Sequence, residues 1–568
     1  MKAHYLKMIK DSELMVKRFL PEQILEPEHE YFGGFRDPDG LVQAKYTIYR
    51  INTMMGVYCN NESCFYNSDD IEKRIYLALG FVHKVQNESG LFDYIDCNFN
   101  SAPDTAFCVK RLLPSWQWLD SHKGEFKSGD VKVIFYGKMT DIIKKAVQGM
   151  AVRGGFHTPN HRWAIASILM ECGKLFNKPE WADAAQKYLN EGIDCNEDGE
   201  YAEKSAGNYN RINNDAMITI GDCTGDKTFY DHAIRNLRMM LTYIEPDGSI
   251  FTANSTRQDN GCRIYPVDYY TEYLRMGHDF KIPEFFDMAN RIFDIIDEKK
   301  LEAPDYLMWM MNNKYLVDVE HDGSYVQPNF ACFYKDSGIT RTHTDGITWT
   351  LLQGKSNFLY FTNGSMVIEM KLAGSFCEHR AFVPEKLEPN DVLSSSSYGK
   401  PAGKGKPGCT LTQTMHGWYY LPFDEKPDTT DWWKMDNASR EKLHGPDINF
   451  NVYVEEVRDY DGLGVDIHIK TDGVKPAPFR VEIACSGAER VFSDAFEVPA
   501  APGSAVIAKK GLVSFADKNS EIKVGPAFAE HRFTDGKFGS EKKSVTCVTL
   551  YFTDFIPFER VIKIRNVR

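Results

Sequence analysis

Four short loops of the same character recur along the first half of the sequence. Each contains a glycine followed closely by an aromatic or aliphatic residue, and the glycines are Gly90, Gly155, Gly199 and Gly248. The interval from each glycine to the next leaves room for two helices and their turns. Repeated helical hairpins bury their apolar faces against one another. The repeat therefore predicts a toroid of hairpins, that is, an incomplete or complete α/α barrel.

The hydrophobic period divides the chain in the same way. Up to about residue 314, apolar residues recur at three- and four-residue intervals, as in 141–152 and 283–298. After residue 315, apolar and polar residues alternate between Asp-Gly and Asn-Gly turns, as in 346–352 and 452–457. Such alternation is typical of antiparallel sheets. We predict a multidomain chain, with an α/α toroid in 1–314 followed by an antiparallel β-sandwich in 315–568.

Charge and composition exclude several classes of partner. A net charge of −13 argues against nucleic acid, which is bound by basic surfaces. No apolar stretch is long enough to cross a bilayer, and the first residues lack the apolar run of a signal peptide. The 13 cysteines are scattered, as expected of buried thiols in a reducing compartment. We expect a cytoplasmic protein without cofactor or metal ion, and the sequence leaves open whether copies associate into a homo-oligomer.

Polar and titratable residues gather in loops that lead into helices. Asn160 and His161 begin a helical pattern, where free N–H groups favour an anion such as a substrate carboxylate. Asn160 taken alone is equally well explained as a helix cap. A second loop, Asp198–Tyr209, ends in a tyrosine and is followed by Arg211. Asp104 begins a third helix, where a carboxylate is also favoured by the helix dipole alone.

One chemistry that these loops suit is abstraction of a proton from the carbon beside a uronate carboxylate. That hydrogen is only weakly acidic until donors neutralise the carboxylate, and Asn160 is a suitable donor. His161 is a plausible base because an imidazole titrates near neutral pH. Tyr209 could serve as base if a cation such as Arg211 favoured its phenolate form, and could then protonate the leaving oxygen.

Two other functions remain open on the sequence alone. Hydrolysis by two carboxylates would draw on Asp104, Glu200, Glu203 and Asp215, although spacing in sequence does not show which of them face each other. A glycan-binding protein without catalysis would use aromatic rings, which make up 13% of the chain. Trp116, Trp118 and Trp163 are the rings that we would expect to line its cleft.

A family resemblance favours the first of these functions. A toroid followed by a β-sandwich, an Asn-His pair opening an inner helix and a motif Asp-Gly-x-x-x-Glu-x-Ser-x-x-x-Tyr resemble the heparinase II/III-like and related alginate lyase families. Here the pair is Asn160-His161 and the motif is Asp198–Tyr209. The resemblance implies β-elimination on a uronate-containing glycan. Asn160 would neutralise the carboxylate, His161 would act as base or stabiliser, and Tyr209 as base and acid.

The resemblance also implies that a histidine or arginine from the β domain completes the site, and we choose the segment Cys377–Arg380 for that role. Predicted substrate contacts are Arg211, Trp163, His379, Arg380, Asp104, Glu203 and Arg257. Thr158 and Pro159 before the Asn-His pair depart from the family pattern. They leave room for a glucuronidase-like hydrolase on the same scaffold.

Overall fold

The computed structural model describes residues 1–127, 129–154, 158–395, 405–535 and 544–567. They form two compact units: Met1–Tyr243 with Gly248–Val326, and Ile244–Asp247 with Gln327–Arg568. The predicted boundary after Lys314 falls before this division. In accordance with the predicted fold class, the first unit is helical and the second is built from sheets.

Helices cover the predicted stretches 141–152 and 283–298 and much of the rest of the first unit. They are α1 (Lys2–Phe19), α2 (Ala44–Cys59), α3 (Asp69–Val85), α4 (Ala102–His122), α5 (Val131–Val152), α6 (Pro159–Leu175), α7 (Pro179–Leu189), α8 (Tyr209–Thr224), α9 (Lys227–Thr242), α10 (Tyr270–Phe280), α11 (Pro283–Lys299), α12 (Leu307–Asn312) and α13 (Lys314–Val317). A short ribbon of β1 (Phe92–Tyr94) and β2 (Asn98–Ser101) precedes α4.

The helices pair into hairpins that follow one another around a ring. Helix α2 packs against α3, α4 against α5, α6 against α7, α8 against α9, and α10 against α11. The first members of these hairpins, α2, α4, α6, α8 and α10, contact one another in succession and form the inner layer. They are also the more buried, since α2 and α6 are covered along most of their length. This is the toroid predicted from the repeat.

Helix α1 closes the ring between the last hairpin and the first. It packs against α2, and its His4 stacks on Phe293 of α11 with ring centroids 3.9 Å apart. His4 Nδ1 also lies 3.1 Å from the Tyr270 hydroxyl on α10. Apolar residues of α1, such as Met8 and Val16, are wholly buried. The ring is therefore sealed by contacts between helices that are distant in sequence.

The repeated glycines lie where each hairpin joins the next. Gly199 has a φ of +88°, and a Cβ added there would lie 2.5 Å from the backbone of Arg235 on α9. Gly90 meets the backbone of Lys145 on α5 in the same way, at 2.0 Å. The loop thus turns in a left-handed conformation directly against the following outer helix, and only glycine fits. Gly155 lies outside the described residues.

The second unit consists of two packed sheets. Its elements are β3 (Phe330–Tyr334), β4 (Ile339–Thr344), β5 (Ile347–Leu352), β6 (Leu359–Asn363), β7 (Met366–Phe376), β8 (His379–Ala381), β9 (Lys386–Pro389), α14 (Asp391–Ser394), β10 (Gly408–Tyr420), β11 (Lys442–Asp459), β12 (Gly462–Gly473), β13 (Ala477–Ser486), β14 (Arg490–Ser493), β15 (Phe496–Pro499), β16 (Ala505–Ile507), β17 (Val513–Ala516), β18 (Glu521–Gly525), β19 (Val548–Ile556) and β20 (Glu559–Asn566).

The order of the described strands is β15-β14-β17-β18-β20-β12-β11-β10-β9 in one sheet. In the other sheet it is β16-β19-β13-β7-β6-β5-β4-β3, with β8 beside β7. Neighbours are antiparallel except β16 and β19, which pair in parallel. Side chains that alternate along each strand, such as Trp349, Ile368, Val452 and Ile467, form the core between the sheets. The predicted β-sandwich is confirmed, apart from this one parallel pair.

The segment Ile244–Asp247 joins the second unit through Glu245. Glu245 forms an ion pair of 2.9 Å with Arg341 of β4 and accepts a hydrogen bond of 2.6 Å from the Thr348 hydroxyl of β5. Arg341 is wholly buried. In the part of the chain that the structure describes, no helix is both long and apolar enough to span a membrane.

Candidate active site

The first turns of the inner helices carry most of the predicted polar residues. Asp104 lies in the first turn of α4, Asn160 and His161 in that of α6, and Tyr209 and Arg211 in that of α8. Pro159 at the first position of α6 lacks the N–H that a helix start would leave unpaired, so it fixes where that helix begins. Loops that precede these turns supply the other candidates.

Asn160 is wholly buried and makes its contacts with Glu203. Its amide Nδ2 lies 2.6 and 2.9 Å from the two carboxylate oxygens of Glu203, and its backbone N–H donates to one of them at 3.0 Å. The amide oxygen has no hydrogen-bond partner among the described residues. The donors that we expected to meet a substrate carboxylate are therefore engaged by a carboxylate of the protein itself.

Glu203 in turn holds Arg257. The carboxylate lies 3.4 Å from Arg257 Nε, and the guanidinium carbon lies 5.3 Å from the centroid of the Tyr209 ring. Burial raises the pKa of Glu203, although the hydrogen bonds from Asn160 and the charge of Arg257 oppose the rise. A continuous set of contacts thus runs from Asn160 through Glu203 and Arg257 to Tyr209, whose hydroxyl donates to Gln258 Oε1 at 3.1 Å.

Asp259 fastens together the two loops that bear these residues. Its carboxylate accepts hydrogen bonds from the hydroxyls of Ser205 and Ser255, at 2.8 and 2.5 Å, and from the backbone of Gly207 at 2.9 Å. The Ser205 hydroxyl also accepts from the backbone N–H of Tyr209. The serine of the Asp198–Tyr209 motif therefore fixes the start of α8, and its glycine allows the loop to pass α9.

Arg211 does not lie beside Tyr209 as expected. It forms a 3.5 Å ion pair with Asp268 instead. Residues two apart point in nearly opposite directions around a helix, so the side chains of Tyr209 and Arg211 diverge. The cation over the tyrosine ring is Arg257, which comes from another loop.

Asp104 belongs to a neighbouring group of contacts. It accepts from Lys45 Nζ at 3.1 Å and from the Ser101 hydroxyl at 2.6 Å. Lys45 also lies 5.5 Å from the Phe107 ring, and Phe107 meets the His161 ring edge-on at 6.2 Å. His161 is partly buried. These contacts link the first turns of α2, α4 and α6.

Trp163 and Trp116 are part of the packed interior. Trp163 is wholly buried and its indole N–H donates to Asp194 at 2.7 Å, while Trp116 is 3% exposed. Trp118 stacks on His122. Neither of the two buried rings is available to a sugar, so the expectation that they line a glycan cleft is wrong. Aromatic content is as compatible with a packed core as with a sugar-binding cleft, which is why the expectation failed for these two rings.

The four carboxylates proposed for hydrolysis each have a different neighbour. Asp104 pairs with Lys45, Glu203 with Arg257, and Asp215 with Lys110 at 3.0 Å. Glu200 accepts from Asn196 at 3.3 Å. No hydrogen bond or ion pair recorded among the described residues joins two of these carboxylates. Nor does that part of the chain contain a group of three or more histidine, cysteine, aspartate or glutamate side chains suited to a metal ion.

His379 and Arg380 lie in the second unit, at the start of β8, with His379 partly buried and Arg380 exposed. Lys45, Gln258 and Asp259 were missed as members of the candidate site. A signal for two of them exists in the unbroken polar run from Asn254 to Asn260, which follows the fourth glycine loop.

Among the comparisons with known proteins, only the comparison with solved structures gives matches, and these support the fold. No protein-family model matches the chain, and no curated protein matches it. Paenibacillus xanthan lyase has a TM-score of 0.59 at 9% identity, over 100% of this chain and 57% of that one. Streptomyces coelicolor A3 chondroitin AC lyase, in complex with chondroitin sulphate, has a TM-score of 0.50 at 10% identity, over 100% of this chain and 79% of that one.

The chain thus has a fold similar to those of these two lyases, with a helical toroid followed by a β domain, as its sequence pattern predicted. It spans little more than half the length of the xanthan lyase. At these identities the likeness concerns the fold, and the chemistry has to be argued from the residues of this chain.

Proposed function

We propose that this chain is a lyase that cleaves uronic-acid-containing glycans by β-elimination. The observation that carries the proposal is the set of contacts from Asn160 through Glu203 and Arg257 to Tyr209. It brings a cation with a planar fork of donors next to a phenol whose hydroxyl donates a hydrogen bond to Gln258. Neutralisation of a carboxylate and transfer of a proton are the two tasks that elimination requires.

Arg257 is the group that we assign to the substrate carboxylate. Its Nε faces Glu203, and its terminal nitrogens make no recorded hydrogen bond to a described residue. A guanidinium binds a carboxylate through two parallel hydrogen bonds, which draws charge from the uronate and makes its C5 hydrogen more acidic. Asn160 then has a positioning role, because it holds Glu203, which holds Arg257.

Tyr209 is the group that we assign to proton transfer. In its phenolate form it takes the proton from C5, the C4–oxygen bond breaks as a C4–C5 double bond forms, and the phenol returns the proton to the departing oxygen. His161 is assigned the supporting role of base or stabiliser. The substrate class follows from the need for a carboxylate beside the acidic carbon.

The test is incubation of the protein with a panel of uronate glycans while the ultraviolet absorbance of the unsaturated product is followed. We expect absorbance to rise with wild type and not with Tyr209→Phe. New reducing ends without absorbance would contradict elimination and favour a glycoside hydrolase. Glu203 supports that second candidate, because a buried carboxyl group with a raised pKa is suited to act as a general acid.

A further inference from the structure

The connection between β10 and β11 leaves a group of aromatic side chains in water. The exposed fraction is 86% for Trp433, 67% for Tyr419 and 52% for Trp432. Three of the nine tryptophans of the chain lie between residues 418 and 433. We call residues 418–444 the aromatic hairpin. Large rings are normally buried because their burial stabilises a fold, so a group of exposed rings indicates a binding surface.

The loop of the aromatic hairpin is held in place by Arg440. Its guanidinium donates to Asn437 Oδ1 at 2.7 Å and to the Leu421 carbonyl at 3.3 Å. Asn437 donates to the Trp432 carbonyl at 2.9 Å. The rings of Trp432 and Trp433 meet edge to face, with centroids 5.0 Å apart and planes at 89°. The exposed rings are therefore presented in a fixed arrangement, which lowers the entropy cost of binding.

A lysine lies over the rings at the base of this loop. Trp418 pairs across the strands with His444, and Tyr420 with Lys442, so all four side chains lie on one side of the ribbon. Lys442 Nζ is 4.3 Å from the Trp418 centroid and 5.7 Å from that of Tyr420. No recorded ion pair links Lys442 to a carboxylate in the described ranges. Its charge is therefore available to an anion.

The turn between β7 and β8 lies against the same hairpin. Cys377 Sγ is 3.6 Å from the Trp418 carbonyl, and a Cβ added to Gly417 would be 2.6 Å from the Phe376 ring. The exposed Arg380 follows this turn, in strand β8. The turn that leads to His379 and Arg380 therefore adjoins the aromatic hairpin.

We infer that the aromatic hairpin binds a chain of uronic-acid-containing glycan, and this inference takes its ligand class from the proposed function. One face of a pyranose ring presents C–H groups that stack on an aromatic ring, here Trp432 or Trp433. The uronate carboxylate pairs with Lys442, which the rings beneath it hold in position. An acidic sugar offers C–H groups to aromatic rings and a carboxylate to a cation, and this surface provides both partners. The surface lies in the unit that does not contain Tyr209.

The experiment measures equilibrium binding to the full-length chain carrying Tyr209→Phe, so that turnover does not intervene. The probes are three uronate-containing polysaccharides, called polyuronates here, namely alginate, polygalacturonate and hyaluronan, with the neutral glucan dextran for comparison. Trp432→Ala combined with Trp433→Ala should lower the affinity for the most tightly bound polyuronate by about tenfold or more. Lys442→Met should lower the affinity for this polyuronate and leave the affinity for dextran unchanged. Tyr460→Ala, at a residue that is 94% exposed elsewhere in the same unit, is the matched control and should change neither.

Equal affinity of the tryptophan variant and the control would overturn the inference, as would absence of binding to all three polyuronates. Sedimentation that shows self-association lost in the tryptophan variant, with glycan binding intact, would also overturn it by identifying a second copy as the occupant. A failure of the proposed elimination is distinguishable, because it would appear as absence of unsaturated product while glycan binding persists.

Discussion

The side-chain amide of Asn160 donates hydrogen bonds to both carboxylate oxygens of Glu203, at 2.6 and 2.9 Å. This contact joins the first turn of α6 to the loop that precedes α8. It also leaves Asn160 without a free donor for a substrate. The group able to meet a substrate carboxylate is then Arg257, which the same glutamate holds over Tyr209. The predictions below follow from this arrangement and from the fold that supports it.

Replacement of Tyr209 by phenylalanine should lower turnover of uronate glycans by at least about 100-fold, because the phenolic oxygen carries the proton. The fold should be unchanged, since among the described residues the hydroxyl donates its hydrogen bond to the exposed Gln258. Initial rates of absorbance change and thermal unfolding test both statements. Tyr66→Phe removes a hydroxyl from an exposed tyrosine in a different loop and should leave the rate unchanged. Near-normal activity of Tyr209→Phe would end this assignment.

Arg257→Lys should reduce kcat/KM by about 10- to 100-fold, because a lysine keeps the charge near Glu203 but lacks the fork that binds a carboxylate in two places. Arg257→Met should reduce kcat/KM further, since it also leaves the buried Glu203 without its cation. Arg263→Lys, at an exposed position of the same loop, serves as control. If Arg257→Lys raises KM but leaves kcat unchanged, Arg257 stabilises the bound substrate and the transition state equally.

Gly199→Ala and Gly192→Ala form a matched pair. Both glycines have left-handed backbones, with φ of +88° and +86°. A Cβ at Gly199 would lie 2.5 Å from the Arg235 backbone, whereas nothing lies within 4 Å at Gly192. Gly192→Ala should cost about 1 kcal/mol from backbone strain alone, and Gly199→Ala at least about 2 kcal/mol more. Melting temperatures measure the difference, and equal losses would show that the loop does not rest on α9 as described.

Glu272→Gln should stabilise the protein increasingly as the pH rises. Burial, reinforced by the charge of Asp215, raises the pKa of Glu272 well above its ordinary value of 4.5, against a hydrogen bond from Asn214. The folded state thus favours the protonated form. The stability that this group contributes is complete below pH 4.5 and is lost as the pH rises towards the folded pKa.

A glutamine is neutral at every pH. The free energy of unfolding of Glu272→Gln should therefore increase relative to that of wild type by up to about 1.4 kcal/mol per pH unit across that window. Melting temperatures of both proteins at about pH 5 and about pH 8 test this expectation. A difference that is the same at both values would contradict a buried, protonated Glu272.

Most of the fold could be predicted from local patterns in the sequence. The toroid followed from glycine loops and amphipathic helices, because each hairpin must cover its neighbour, and the sheets followed from alternation along strands such as 347–352. Closure of the ring by His4 against Phe293 had no local signal, since it joins side chains from distant helices.

The candidate site was predictable to the extent that it follows the chain. The first turns of α6 and α8 were located from Asn160 and Tyr209, but pairings between loops were not. Arg211 seemed closer to Tyr209 than Arg257 because it is closer in sequence, yet the helix turns it away. Trp163 is an aromatic residue of the kind that stacks on sugars, yet it is wholly buried in the core. The residue type alone does not distinguish these two roles.

Closure of the ring through α1 also affects how the protein is made. The partners His4 and Tyr270 are 266 residues apart, so the side of α1 that carries His4 is without these contacts in the nascent chain until α10 and α11 have been synthesised. A surface that waits so long for its partner helices is a natural target for a chaperone during this interval.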